Sequence, residues 1–202
     1  MTLARAKPAQ QERSRRTRDK LLAAGHKLLA RKSWGELAVT SIAKAAGCSV
    51  GSFYARYGSK EEFFEALCAD FLDGRIRELD HFWDELPTDA DLAQALVANV
   101  VGSVTDHRNL WQAALTRATT EPEFWAPFRE TGMDIFRKAV EHQEGRLGRP
   151  LSDQERQRLR FAQLLLNSYI NNTVMVRPGP FSFDEEGVIN ELTRAVRLVA
   201  EL

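Results

Sequence analysis

Residues 40–60, TSIAKAAGCSVGSFYARYGSK, contain two short helical patterns separated by one glycine. Gly47 can adopt the positive φ that ends a helix, and Ser49 carries an oxygen that can cap the exposed N–H groups of the next one. The apolar positions fall at helical spacing in each pattern: Ile42, Ala43 and Ala46 in the first, and Phe53 and Tyr57 in the second. A helix, a glycine turn and a second helix indicate a helix-turn-helix.

The same stretch resembles the DNA-binding signature of TetR/AcrR-type transcriptional regulators. The resemblance rests on residues at the spacing of that signature: Ile42, Ala43, Ala46, Gly47, Ser49, Gly51, Phe53, Tyr54, Tyr57, Ser59 and Lys60. It covers roughly residues 15–72, about a third of the chain. One departure is Ala38, where the family usually has a capping threonine, so we expect the cap to shift to Thr40 or the helix start to fray.

The resemblance implies an all-α fold, with an N-terminal three-helix DNA-binding domain joined to a C-terminal helical bundle for ligand binding and dimerisation. We predict a disordered basic arm over residues 1–12, the helix-turn-helix domain over 13–60, and the effector-binding and dimerisation domain over 61–202. Apolar periodicity predicts helices over about 13–32, 39–46, 50–57, 59 to about 82, 91–106, 109–118, 121–144 with a bend near Pro127, 152–176 and 184–202. Ser59 with Glu62, and Ser152 with Glu155, form capping boxes.

The distribution of charge supports a nucleic-acid partner. Although the 202 residues have a formal net charge of zero, residues 1–60 carry 13 Lys or Arg and 3 Asp or Glu, which is +10. Residues 61–202 carry 15 Lys or Arg and 25 Asp or Glu, which gives this part a net charge of −10. A basic N-terminal part indicates that this part meets a polyanion. A solvated basic tail would explain the early arginines, but not their place in the same half as the helix-turn-helix.

We expect a cytoplasmic protein with no membrane partner. No apolar run approaches the ~20 residues of a membrane span, and the start, MTLARAKPAQQERSRR, lacks the apolar core of a signal peptide. Cys48 and Cys68 lack metal-ligand spacing, so we expect packing roles, with a thiol sensor as the alternative. The four histidines show no pairing at helical spacing, and we predict no metal site and no cofactor.

The DNA contacts follow from the resemblance, which implies that the third helix enters the major groove. Phe53 and Tyr57 are then buried supports, while Tyr54 and Lys60 match family positions that hold phosphates. Arg56 suits guanine or phosphate, and Val50 suits a thymine methyl. The predicted DNA-binding residues are Thr40, Lys44, Val50, Gly51, Ser52, Tyr54, Arg56 and Lys60. Ordinary solvent contact is the alternative for each exposed polar side chain.

Two sets of residues are candidates in the C-terminal part. Aromatic and polar side chains could line an effector pocket, with core packing or surface exposure as the alternative: Trp83, His107, Trp111, Arg117, Trp125, Phe128, Met133, Phe136, Asn167 and Asn171. The last two helices carry more apolar positions than a monomer needs, and the resemblance implies that they form a four-helix dimer interface. Its predicted residues are Leu159, Leu166, Tyr169, Ile170, Leu192, Ala195 and Val199, and a large monomeric core is the alternative.

Together these features predict a homodimeric, ligand-responsive regulator of transcription. We expect a repressor that binds a near-palindromic double-stranded operator and is released by a small apolar or amphipathic effector. One alternative keeps the DNA-binding domain but has the C-terminal part bind a protein. A helical enzyme with an added DNA-binding domain is a third hypothesis. We do not expect an enzyme, since we find no nucleophile–base pairing, phosphate loop or cofactor fingerprint.

Overall fold

The structure is a computed structural model that describes residues 8–176 and 187–202. These residues form nine α-helices, which confirms the predicted all-α fold. The helices are α1 (Pro8–Leu29), α2 (Val39–Ala45), α3 (Val50–Tyr57), α4 (Lys60–Glu85), α5 (Leu92–Asp106), α6 (Arg108–Ala118), α7 (Ala126–Leu147), α8 (Asp153–Val176) and α9 (Val188–Ala200). Two short 3-10 turns lie at Trp34–Glu36 and Pro122–Trp125. None of the described helices is both long enough and apolar enough to span a bilayer.

Several helix ends differ from the predicted ones. Helix α1 begins at Pro8, so residues 8–12 are helical rather than part of a disordered arm, and residues 1–7 lie outside the described residues. Helix α2 begins at Val39 after Ala38, whose side chain makes no cap, so the cap does not shift to Thr40. The predicted start of the last helix, residues 184–186, also lies outside the described residues.

The predicted helix over 121–144 consists of a 3-10 turn followed by α7. Pro127 stands in the first turn of α7, where its missing N–H costs no helical hydrogen bond. The proline therefore marks the beginning of a helix rather than a bend within one.

The chain divides into two compact units, Met1–Phe71 and Leu72–Leu202, which we call the head and the body. In the head, α1, α2, α3 and the first turns of α4 enclose fully buried side chains: Leu21, Ile42, Phe53, Phe63 and Leu67. A methyl group added at Gly25 of α1 would lie within 3.0 Å of Phe63 and Leu67 side-chain atoms, so α1 packs closely on α4. Burial of each such side chain contributes roughly 1.5–3 kcal/mol to the stability of the folded head. This packing stabilises the short helices α2 and α3, which would be marginal alone.

The body has its own apolar core, to which α5, α8 and α9 contribute most of the buried residues. Its members include Val97, Val101, Val104, Leu159, Ala162, Leu166, Ile170, Val174 and Val196. The predicted capping box at the start of α8 is present: Ser152 N–H donates to Glu155 Oε2 at 2.7 Å, and Glu155 N–H donates to Ser152 Oγ at 3.3 Å. Hydrogen bonds from Arg149 and Ser152 hold the pKa of Glu155 well below its usual range.

Candidate nucleic-acid interface

Local signals fix both ends of helix α3. Gly47 has φ 64° in the turn that follows α2, and Gly58 has φ 66° at the C-terminal end of α3. Ser49 Oγ accepts the N–H of Ser52 at 3.0 Å and so caps the first turn. These three residues give α3 the bounds Val50–Tyr57 that the sequence predicts.

Aromatic contacts support the inner face of α3. Phe53 is fully buried, and its ring centroid lies 5.1 Å from that of Phe63 of α4. The Tyr57 ring packs 4.8 Å from the same Phe63 ring. Burial raises the pKa of the Tyr57 hydroxyl, so this support stays uncharged near neutral pH. Both predicted supports are therefore in place.

The outer face of α3 is exposed to solvent. Val50 and Tyr54 are 38% and 49% exposed, and the other predicted contacts of this helix, Gly51, Ser52 and Arg56, are exposed as well. Arg56 donates from its guanidinium to Ser14 Oγ of α1 at 3.3 Å. Thr40 and Lys44 are exposed on α2. The exposed side chains of α3 can thus approach another molecule without rearrangement of the core.

Lys60 differs from the other predicted DNA contacts because it is half-buried. Its Nζ donates to the backbone carbonyl of Trp34 at 3.0 Å and lies 4.5 Å from the centroid of the Trp34 ring. Sequence reasoning missed this contact between Lys60 and Trp34. The only signals were an aromatic residue shortly before α2 and a lysine at the first position of α4.

Part of the predicted effector pocket forms a packed aromatic cluster in the body. The Trp111 ring lies edge-on to Trp125 and Phe128, with centroids 5.5 Å apart in both cases. Trp125 and Phe128 stack at 4.4 Å. Trp111 Nε1 donates to Asn171 Oδ1 at 3.0 Å, which joins α6 to α8. The guanidinium of Arg117 lies 4.5 Å from the ring centroid of Phe124, next to this cluster.

The remaining predicted pocket residues are dispersed in the body. Trp83 lines a groove between α4 and α7 that encloses only about 50 Å³, much less than the ~300 Å³ or more of a typical ligand pocket. Met133 is 60% exposed on α7, and His107 Nδ1 bonds to the backbone carbonyl of Ser103. Phe136 packs against the body core, and Asn167 is half-buried. Among residues 8–176 and 187–202, these side chains therefore occupy separate places: the aromatic cluster, the small groove beside Trp83 and the surface of α7.

The predicted dimer interface needs a correction. Leu159, Leu166 and Ile170 are buried in the core of a single chain, so they cannot contact a second copy. Tyr169, Leu192 and Val199 are half-buried, and Ala195 is exposed. The prediction is wrong for the three buried residues because α8 has apolar side chains on two faces, and sequence reasoning chose the inner one.

A different set of apolar side chains lies exposed on the last two helices. Phe161, Leu164 and Leu198 are 53%, 57% and 72% exposed. We call the exposed hydrophobic residues of α8 and α9 the outer apolar face: Phe161, Leu164, Leu165, Met175, Val176, Ile189 and Leu198. Their exposure depends on how α8 packs on α5 and α9, which the sequence does not specify.

Residues 21–67 match the sequence profile described as bacterial regulatory proteins of the tetR family. The chain has the fold of a TetR-family transcriptional regulator. This match covers helices of the head, including α3 with its two supporting aromatic residues. A search of curated proteins gave no match.

Several solved structures resemble the chain over nearly its full length. A putative TetR-family regulator from Mesorhizobium loti is 18% identical with a TM-score of 0.66, over 94% of this chain and 95% of that one. Salmonella enterica GusR is 19% identical with a TM-score of 0.63, over 92% and 96%. A tetR-family regulator from Streptomyces coelicolor is 20% identical with a TM-score of 0.61, over 91% and 81%. At such identities the likeness concerns the fold alone.

Proposed function

We propose that the protein is a homodimeric, ligand-responsive repressor that binds a near-palindromic DNA operator through α3. The observation that carries this proposal is the construction of α3, which is fixed by local caps, supported by buried aromatic rings and exposed along its outer face. Such a helix suits the major groove. The family's regulatory role and the basic charge of residues 1–60 support the same function.

Gly51 offers independent support for close approach of DNA. Glycine within a helix is less stable than alanine by about 1 kcal/mol. Among the residues that the structure describes, a methyl group at Gly51 would meet only Ser49 Oγ, at 3.8 Å, so none of them requires the glycine. A DNA backbone against this turn of α3 would require it.

The outer apolar face supports the homodimer. Phe161, Leu164 and Leu198 are large apolar side chains exposed to water, and clusters of such side chains on soluble proteins commonly mark contact sites. A second copy suits this face because a two-fold interface brings the same patch of both copies together. Two such chains would present their α3 helices about one DNA turn apart, ~34 Å.

We propose that a small effector releases the protein from DNA by binding to the body. An effector can shift the protein away from the DNA-binding form only if it binds the two forms with different affinity. The aromatic cluster of α6, the second 3-10 turn and α7 provides apolar surface of the kind that binds apolar or amphipathic molecules. We expect a cytoplasmic protein, since its proposed target is operator DNA.

The experiment that tests the proposal is the selection of bound sequences from random duplex DNA at ~0.1 M salt, where specific and non-specific binding separate. We expect enrichment of a near-palindrome with half-sites about one turn apart. Salt-sensitive binding without enrichment would contradict sequence-specific regulation. Enrichment of a site that no apolar small molecule displaces, together with co-purification of a protein partner, would favour the alternative role of the body.

A further inference from the structure

Helix α1 extends well beyond the core of the head. It begins at Pro8, yet among the side chains that the structure describes the first buried one is Leu21. At the rise of 1.5 Å per residue in an α-helix, the part before Leu21 is about 20 Å long. This projecting part of α1 therefore contributes little to the core, and its exposed side chains can meet another molecule.

The side of α1 that packs on the core continues as a basic surface in the projecting part. Arg18 and Arg15 stand four and seven residues before the buried Leu22, so all three lie on one side of the helix. Ser14 stands seven residues before the buried Leu21 and shares this side. We call Ser14, Arg15 and Arg18 the basic face of α1.

The charges of the projecting part favour an anionic partner. Arg15 and Arg18 are exposed, and among the described residues no carboxylate pairs with either of them. On the other side of the helix, Arg16 pairs with Glu12 at 3.0 Å, and Lys20 is exposed. Like charges three residues apart destabilise a helix, and positive charge near the N-terminal end of a helix is unfavourable as well. A polyanion beside the basic face would relieve both effects.

Two observations place the basic face of α1 next to α3. Arg56 of α3 donates from its guanidinium to Ser14 Oγ at 3.3 Å. Burial raises the pKa of Tyr57, and the nearby positive charges of Arg56 and Arg18 partly oppose this rise. The basic face is thus continuous with the end of the helix that we expect to enter the groove, and a duplex bound there would pass close to it.

We propose that the basic face of α1 is a second DNA-binding element, which contacts the phosphate backbone beside the groove that α3 enters. Arg15 and Arg18 donate to phosphate oxygens, and Ser14 holds Arg56 where the two helices meet. A helix with its side chains is about 10–12 Å across, so a major groove about 12 Å wide that contains α3 has no room for α1. The backbone is therefore the part of the duplex that fits this face, and the contact adds affinity rather than sequence preference. This inference rests on the proposed DNA-binding function.

The test compares the salt dependence of DNA affinity in the wild type, in R15A combined with R18A, and in R16A combined with K20A. Both double variants remove two positive charges from the same part of α1, but only the first changes the basic face, and alanine preserves the helix. A phosphate contact contributes about 0.9 to the slope of log affinity against log salt, so R15A with R18A should make the slope shallower by about 1.8. We expect about fiftyfold weaker binding at ~0.1 M salt and nearly equal binding at ~1 M. R16A with K20A should keep the wild-type slope.

Ethylation of single phosphates in the duplex gives a second readout. Ethylation should weaken binding by the wild type at phosphates where it no longer affects R15A with R18A, while R16A with K20A should keep the wild-type pattern. Equal slopes in the wild type and R15A with R18A would overturn the proposal, as would equally shallow slopes in both double variants. A lower unfolding temperature of R15A with R18A at an unchanged slope would assign the two arginines to packing and would also overturn it.

The salt series also separates this inference from the proposed function, because it can be run on duplex DNA of random sequence. Binding without sequence selectivity would contradict sequence-specific regulation, while the three slopes would still decide the role of the basic face. Absence of binding to any duplex by the wild type would overturn both proposals.

Discussion

Helix α3 of the head and the outer apolar face of the body are both exposed, but they differ in chemistry. The outer face of α3 combines small and polar residues with one basic side chain and the partly exposed Val50 and Tyr54, while Phe53 and Tyr57 are buried beneath it. On α8 and α9 the exposed side chains include large apolar ones such as Leu164 and Leu198. This difference fits the two partners that we propose, a hydrated polyanion for α3 and a second copy's apolar surface for α8 and α9.

The largest expected effect comes from placing charge on the outer apolar face. L164E combined with L198E would bury carboxylates at the interface between copies, so we expect at least a hundredfold weaker dimer and a comparable loss of operator affinity. Sedimentation measures the first and titration of the selected duplex the second. L147E, at a leucine of α7 that is 39% exposed, is the matched control and should stay dimeric. A dimer of unchanged affinity in the double variant would show that the outer apolar face does not form the interface between copies.

A smaller effect is expected on α3, where G51A should separate stability from binding. Alanine should raise the free energy of unfolding by about 0.5–1 kcal/mol, because the added methyl group has room in the helix. The same methyl group should lower operator affinity about tenfold if DNA lies against this turn. G102A, in an exposed turn of α5 with open space around the glycine, should stabilise the body without changing DNA binding. Unchanged affinity in G51A would argue against close approach.

The next prediction concerns a contact between the Val50 side chain and the methyl group of one thymine in the half-site. Replacing the relevant thymidine of the selected half-site by deoxyuridine removes only that methyl group, and we expect about threefold weaker binding by the wild-type protein. The V50A variant should bind the two duplexes equally. If the wild-type protein already fails to distinguish them at every thymine of the half-site, Val50 does not contact a thymine methyl.

The smallest effect is expected at Asp91, which connects α5 to α9 within the body. Asp91 caps α5 by accepting the N–H of Gln94 at 3.2 Å, and it also pairs with Arg197 of α9. Burial raises the pKa of Asp91, but hydrogen bonds from Gln94 and Arg197 outweigh this and leave the pKa below its usual value. D91A should lose about 1 kcal/mol of unfolding free energy. D91N should lose less, since asparagine still caps and the ion pair is largely exposed.

The sign of the pH dependence follows from the lowered pKa of Asp91. The ion pair contributes above the pKa of the unfolded chain, ~3.9, and its contribution is lost as the pH falls through the lower pKa of the folded state. The difference in unfolding free energy between wild type and D91N should therefore be present at pH 7 and shrink below about pH 4. Denaturant unfolding across this range measures it, and a difference that grows in acid would contradict the assignment.

The sequence predicts the head more completely than the body because the signals in the head are local. Gly47, Ser49 and Gly58 determine α3 through backbone conformation and a single cap, each within a few residues of the helix. Phe53 and Tyr57 follow from helical spacing alone. Lys60 is the exception, since its contact with Trp34 joins residues that are 26 positions apart.

In the body, the missing information lies in long-range packing. Leu166 and Leu164 belong to apolar stripes on the same helix, and only the arrangement of α5, α8 and α9 decides that the first is buried and the second exposed. Likewise, Trp111 and Trp125 meet through the 3-10 turn before α7, whereas Trp83 lies in a separate groove. Residue type alone does not tell a buried leucine from an exposed one, or a tryptophan of the aromatic cluster from one in the separate groove.

Binding of DNA by two copies of α3 is tested most simply by the number of chains bound to one selected duplex at saturation, measured from the mass of the complex. We predict two chains per duplex that contains both half-sites, and loss of this complex in the variant that combines L164E with L198E. One chain per duplex at saturation, with both half-sites required for affinity, would contradict the proposal that two copies of α3 bind DNA through a shared apolar interface.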